Sequence, residues 1–206
     1  ELHNIKIDSA QDVVTLFFDQ EKLMQEIQMT TQYFLRFFLK SSESDIQAVE
    51  KYFDEIVSQI VSKKNVFTHR DFHSRNILFK NNQFVMIDFQ DARWGIPQYD
   101  LASLLHDCYY NLDSENTEYL INYYYTKRKN YLSDYKDYSE FRYFYDLMAI
   151  QRVFKAIGSF AYIYQTRGDI RYIKYIGQSM EKLKILLYRE NFIDLRKVLF
   201  KNFYAN

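Results

Sequence analysis

The sequence predicts an α+β protein, mostly helical, built around a small β-hairpin that carries a metal site. Three observations predict it. Residues 65–68, then 77–80 and 83–87, are rich in β-branched and aromatic side chains, and Asn81-Asn82 breaks the second pair of runs, so they read as a short strand followed by a hairpin. Apolar residues at helical spacing fill most of the remaining chain. Finally, polar groups able to handle protons and metal ions cluster at the two open ends of the hairpin, in His69-Arg70-Asp71-Phe72-His73-Ser74-Arg75-Asn76 before it and Asp88-Phe89-Gln90 after it.

The helices follow in order. Leu23, Ile27, Phe34 and Phe38 recur at helical spacing through residues 21–40, and Ile46, Val49, Phe53, Ile56, Val57 and Ile60 form a clearer stripe after the capping cluster Ser42, Ser44 and Asp45. Beyond the hairpin, Asp100 is expected to cap a helix over 101–110, Ser114 one to about 131, and Ser139 a long one toward 165. Gly168-Asp169 separates that helix from another running to about 188, and the tail over 191–204 is expected to be helical too.

Length and composition limit what else the chain can be. A chain of 206 residues, 48% of them hydrophobic, can bury one substantial core, and no repeat or low-complexity linker marks an interior boundary, so a single domain is expected. Its 27 basic and 27 acidic residues cancel, which implies no overall attraction to nucleic acid or to an anionic membrane. Cys108 is the sole cysteine, so no disulfide framework can form, and its expected place is in a core. Neither a basic start nor a long apolar run marks export or membrane insertion, and a reducing cytoplasm is expected. The 20 Tyr and 18 Phe are spread through the helical segments, not interleaved with basic residues, so they are read as core volume, not as platforms for bases.

Asp71, Asn76 and Asp88 fit the needs of phosphoryl transfer, which asks for one carboxylate near the attacking hydroxyl and oxygen ligands that hold Mg²⁺ against the phosphates of ATP. An aspartate followed five residues later by an asparagine is the spacing of a kinase catalytic loop, and the later Asp-Phe turn supplies an anionic metal ligand. Any one of these residues alone is an ordinary turn or capping residue. The hairpin changes that, because strands paired around a tight turn bring their outer ends together and so set Asn76 beside Asp88.

The motifs His69 to Asn76, Ile87-Asp88-Phe89-Gln90-Asp91-Ala92 and Tyr99-Asp100-Leu101-Ala102-Ser103-Leu104-Leu105 resemble the aminoglycoside phosphotransferase and choline kinase superfamily, which shares the protein-kinase fold. Within it, the chain is most similar to bacterial anomeric sugar kinases acting on N-acetylmuramate and N-acetylglucosamine, through those motifs, Gln151-Arg152 with Lys155, Ala156, Gly158 and Phe160, and the segment 19–38. The resemblance implies that Asp71 is the base or hydroxyl-positioning carboxylate, that Asn76 and Asp88 bind Mg²⁺ and so the nucleotide, and that buried Asp100 holds the loop backbone. His69 is expected to pack and hydrogen-bond in support of the loop, His73 to meet the transferring phosphate, and Arg75 to contact a phosphate or pin the loop by pairing with an acid. Asp91, Asp107, Arg152 and Lys155 are candidates for the acceptor pocket, with a salt-bridged surface as the alternative for each.

Two departures qualify the resemblance. Kinases of this fold cover the phosphates with a Gly-rich loop and a strand lysine on a separate β-rich lobe, yet the four glycines here, 95, 158, 168 and 177, form no such loop. The chain is therefore read as a C-terminal lobe whose N-terminal nucleotide-binding lobe is absent, and on its own it is expected to bind ATP poorly and turn over little. Gln90 also replaces the glycine of Asp-Phe-Gly, which argues for a metal turn fixed in one state. The expected partner is a small sugar acceptor; other small alcohols such as choline or an aminoglycoside, or a non-catalytic binding role, are the alternatives.

Overall fold

The computed structural model describes residues 2–5, 16–188 and 192–204. The chain divides into two compact units, Glu1–Asp19 with Ile60–Ala149 and Gln20–Gln59 with Ile150–Asn206.

In the first unit, β1 (Val66–Thr68) pairs antiparallel with β4 (Arg93–Gly95), Phe67 facing Trp94. The segment at Leu16 to Phe18 joins them as a parallel bridge, Phe18 donating its N–H to the Trp94 carbonyl at 2.8 Å and Trp94 donating to Leu16 at 2.9 Å. A single 3₁₀ turn, Ser74–Asn76, leads into β2 (Ile77–Lys80), which pairs antiparallel with β3 (Gln83–Met86) in the register Phe79 to Phe84. Asn81 and Asn82 have φ of 51° and 57°, the left-handed pair that a two-residue hairpin turn requires and that asparagine tolerates. The expected hairpin is therefore present, its second strand ending at Met86 rather than 87.

The helices α3 (Gln98–Leu105), α4 (Ser114–Arg128) and the first part of α5 (Tyr138–Arg167) complete this unit. Trp94, Tyr99, Ile121, Phe141, Tyr145 and Met148 are buried at its core. Within that core the Gln98 amide is satisfied at both ends: Tyr135 donates its hydroxyl to Gln98 Oε1 at 2.9 Å, and Gln98 Nε2 donates to the Phe141 carbonyl at 3.4 Å. Burial pushes the Tyr135 phenol above its ordinary pKa.

Two expected caps are corrected. Asp113, not Ser114, caps α4; its carboxylate accepts from the Asn116 amide at 2.8 Å, the bond that chiefly holds its pKa below the usual value. Asp100 lies inside the first turn of α3, whose N-cap is Pro97, and its carboxylate accepts bonds from outside the helix.

The second unit packs helix on helix. Its first helix, α1 (Gln20–Thr30), runs on as a π-helix over Thr31–Phe38, and α2 (Glu43–Ile60) starts where Ser42 Oγ accepts from the Asp45 amide at 3.2 Å. The later part of α5, with α6 (Ile173–Leu186) and α7 (Ile193–Phe203), completes it. Gly168, at φ 65°, closes α5 by donating to the Tyr164 carbonyl, where only glycine is without penalty. Tail position 191 lies outside the described residues.

Phe53 stacks on Phe154 with ring centroids 4.4 Å apart, and Leu23, Ile27, Phe34 and Ile157 are fully buried around them. Each such side chain stabilises the fold by roughly 1.5–3 kcal/mol. Gly158 lets α5 approach α1: a Cβ there would lie 2.2 Å from Thr30 Oγ1 and 2.6 Å from Thr30 Cα. No helix among the described residues is long and apolar enough to cross a membrane.

Candidate active site

The loop between β1 and β2 is held from behind by one carboxylate. Asp100, almost fully buried, accepts from the His69 amide at 2.7 Å and the Arg70 amide at 3.0 Å, while His3 Nε2 approaches the same carboxylate at 3.1 Å. Arg70 needs that support because its φ of 76° is left-handed. The His69 backbone, not its ring, holds the loop. Its buried ring nitrogens have no hydrogen-bond partner among the described residues, and the ring rests against Phe72.

Asn76 sits at the base of β2 and Asp88 just past β3, so the hairpin sets them side by side. Asn76 Nδ2 donates to the Asp71 carbonyl at 2.9 Å and to Asp88 Oδ2 at 3.2 Å, so one amide joins all three residues. Asp88 occupies a left-handed conformation, φ 69°, and Gln90 Nε2 donates to its other oxygen at 2.9 Å. Gln90 thus braces this turn where a glycine would leave it loose.

Around Asp71 the charges alternate. Arg70 Nη1 lies 2.6 Å from Asp91 Oδ2 and 3.9 Å from Asp71 Oδ2, so Asp91 pairs with a loop arginine at the site's edge. Asp107, buried, accepts from the Ser74 amide and the Tyr109 amide, each at 2.8 Å. Arg75 has its guanidinium 3.5 Å from the centre of the Tyr109 ring, and the His73 ring meets the same tyrosine edge-on at 5.5 Å. Tyr109 was not singled out by the sequence, which sets it within an expected helix over 101–110; α3 ends at Leu105, and Tyr109 lies in the irregular segment beyond it. Arg152 and Lys155 lie on α5 within the second unit. A cavity of about 640 Å³ elsewhere in the first unit, lined by residues including His3, Lys64, Trp94, Tyr124, Arg128 and Tyr135, contains none of the loop or hairpin residues.

The donor set suits a small hard cation. Carboxylate and amide oxygens from two residues could serve a hard ion such as Mg²⁺, which keeps waters and takes phosphate oxygens rather than a full protein cage. In taking such an ion Asn76 would offer its Oδ1 while Nδ2 keeps the Asp71 carbonyl and gives up the bond to Asp88.

The loop after β1, the Asp-Phe turn at the mouth of the hairpin and the buried aspartate under the loop match a protein-kinase-like phosphotransferase fold. The chain belongs to the phosphotransferase enzyme family, whose model matches residues 12–141. It is 28% identical over 170 residues to the N-acetylmuramate/N-acetylglucosamine kinase of Neisseria meningitidis serogroup B, covering 81% of this chain and 51% of that protein. It is 25% identical to the protein of the same description from Pseudomonas putida, covering 76% of this chain and 47% of that one. The chain thus spans about half the length of the curated relatives it matches. Among solved structures, an ADP-bound aminoglycoside phosphotransferase superposes with a TM-score of 0.51 at 22% identity over 87% of this chain and 58% of that one, which supports the fold.

Proposed function

We propose that these residues form the C-terminal lobe of an ATP-dependent small-molecule kinase that phosphorylates a sugar hydroxyl, the anomeric one of an N-acetylated amino sugar. The observation that carries the reading is the single Asn76 amide linking the Asp71 backbone to the Asp88 carboxylate at the mouth of the hairpin. In this reading the sugar oxygen attacks the γ-phosphorus, the bond from that phosphorus to the β-bridging oxygen breaks, ADP leaves, and the hydroxyl proton passes to Asp71. Asn76 and Asp88 would hold Mg²⁺, which when bound offsets the negative charge of the phosphates. Asp100 keeps the strained loop in register, and His73 and Arg75 are proposed to act on the transferring phosphate or on the loop itself. Asp91 and Asp107 are proposed as walls of the acceptor site or as supports of it; Arg152 and Lys155 are acceptor candidates on the resemblance alone.

That acceptor is supported by the relatives, whose descriptions name N-acetylmuramate and N-acetylglucosamine. The hairpin supports an upstream nucleotide-binding lobe, because Leu78, Phe79, Phe84 and Phe89 beside the metal turn are exposed and await a covering surface. The deciding experiment measures ADP release by the full-length protein with each amino sugar, choline and an aminoglycoside, alongside Asp71→Ala. Turnover confined to the amino sugars and lowered at least ~10³-fold in the variant is expected. Equal rates for variant and parent discard the mechanism, and turnover only with another alcohol reassigns the acceptor.

A further inference from the structure

Asn76 ends a single 3₁₀ turn, Ser74–Asn76, and a lone turn has little stability of its own. Asp100 grips the loop only at His69 and Arg70, so something else must fix the half that carries Asn76. We infer that the segment Asp107-Cys108-Tyr109, which follows α3, is a clasp in which Asp107 and Tyr109 act as positioning residues for that half; this rests on the kinase reading above.

Three consecutive loop residues meet it. Ser74 donates its amide to Asp107 Oδ2 at 2.8 Å, Arg75 stacks on the Tyr109 ring at 3.5 Å, and His73 meets the same ring edge-on. The other Asp107 oxygen accepts from the Tyr109 amide at 2.8 Å, so one carboxylate sets both the loop turn and the ring that Arg75 covers. That carboxylate is 3% exposed, and bonds from backbone amides to a buried carboxylate are about twice as strong as neutral ones. The position of the turn is passed on directly: Asn76 donates its amide to the His73 carbonyl at 2.9 Å, and Ile87 donates to the Asn76 carbonyl at 3.1 Å, one residue before Asp88. A shift of Ser74 therefore moves both groups assigned to the metal. The acid at 107 works on the loop backbone and needs no contact with the acceptor to govern the reaction.

Asparagine at 107 keeps one acceptor oxygen and turns an N–H₂ group toward the other amide, so Asp107→Asn loosens the turn while preserving volume. In the full-length kinase, kcat is expected to fall ~10–100-fold, as a displacement near 1 Å would cause. The Mg²⁺ concentration for half-maximal rate should rise several-fold, while KM for the sugar stays within about twofold. Tyr109→Leu should show the same pattern more weakly, and Tyr109→Phe, which keeps the ring, should recover most of that loss. Exchange of the Ser74 amide with solvent deuterium should accelerate in Asp107→Asn. A purely structural role would instead lower thermal stability and active fraction without moving the Mg²⁺ requirement. Unchanged Mg²⁺ dependence and unchanged Ser74 exchange overturn the clasp. Should Asp107→Asn fail to fold, Tyr109→Leu decides by the same readouts. Should the parent phosphorylate no alcohol, the kinase reading falls, and Ser74 exchange alone upholds or overturns the clasp.

Discussion

Arg70 shows how one residue's conformation depends on another's carboxylate. A left-handed backbone costs an L-residue roughly 1–2 kcal/mol, and Arg70 adopts it at φ 76°, its own amide and that of His69 both pointing at Asp100. Replacing Asp100 with alanine leaves the His69 and Arg70 amides without their acceptor, and relaxes the backbone that aims Asp71. The expected loss is ~2–4 kcal/mol of unfolding free energy, read as a lower urea midpoint, with turnover abolished. Asp100→Asn should fall between alanine and parent because one acceptor oxygen survives. A midpoint for Asp100→Ala equal to the parent's would mean that the loop holds its shape without this acid. Read from its neighbours alone Asp100 is a helix cap, its commonest use, whereas the family resemblance implies an acid that holds the loop backbone; its bonds run to that loop, about thirty residues earlier in the chain.

At the scale of elements, what is local was legible and what is not was missed. The hairpin was readable because its apolar runs and Asn81-Asn82 turn are contiguous, and the turn itself invites a test. Glycine at 82 removes the strain of a left-handed asparagine, so Asn82→Gly should raise stability by up to ~1 kcal/mol, whereas Asn82→Val should lower it by ~1–2 kcal/mol. Equal melting temperatures for the two variants would show that the turn is not under strain. By contrast, β4 is three residues long and pairs with a strand about twenty-five residues earlier, so no periodicity announces it. The widening of the first helix to a π-helix over Thr31–Phe38 likewise leaves the apolar spacing intact and invisible. The tertiary part played by Gly158 was hidden for the same reason. With its absent Cβ replaced, Gly158→Ala would drive a methyl into Thr30, and a loss of ~1–3 kcal/mol is expected in thermal unfolding. Retained stability would require α1 and α5 to separate at no cost.

For the molecule as a whole, charge and exposed surface set the behaviour in solution. Lys63 donates to Glu140 at 2.7 Å and chiefly holds that carboxyl below its ordinary value of 4.5, helped by the Lys136 amide. A lowered folded pKa means stability that is present above pH 4.5 and lost as pH falls through the folded value. Solvent screening limits it, so Glu140→Gln should lower stability by a few tenths of a kcal/mol near neutrality, the gap closing on acidification below 4.5; a gap that widened in acid would reverse the assignment. The larger effect concerns the hairpin. Phe79 is 65% exposed, Phe84 77% and Phe89 64%, an apolar surface beside the metal turn that a neutral chain has no net charge to protect from self-association. The 206-residue chain alone should bind a hydrophobic dye, associate as its concentration rises and hold ATP weakly, while the full-length protein should bind little dye and turn over ATP with its sugar. Changing Phe79 and Phe84 to serine should remove most of the dye signal from the short chain and weaken ATP binding in the long one. If the short chain stays monomeric, ignores the dye and phosphorylates sugar at the rate of the full-length protein, the hairpin needs no covering lobe and the two-lobe reading is wrong.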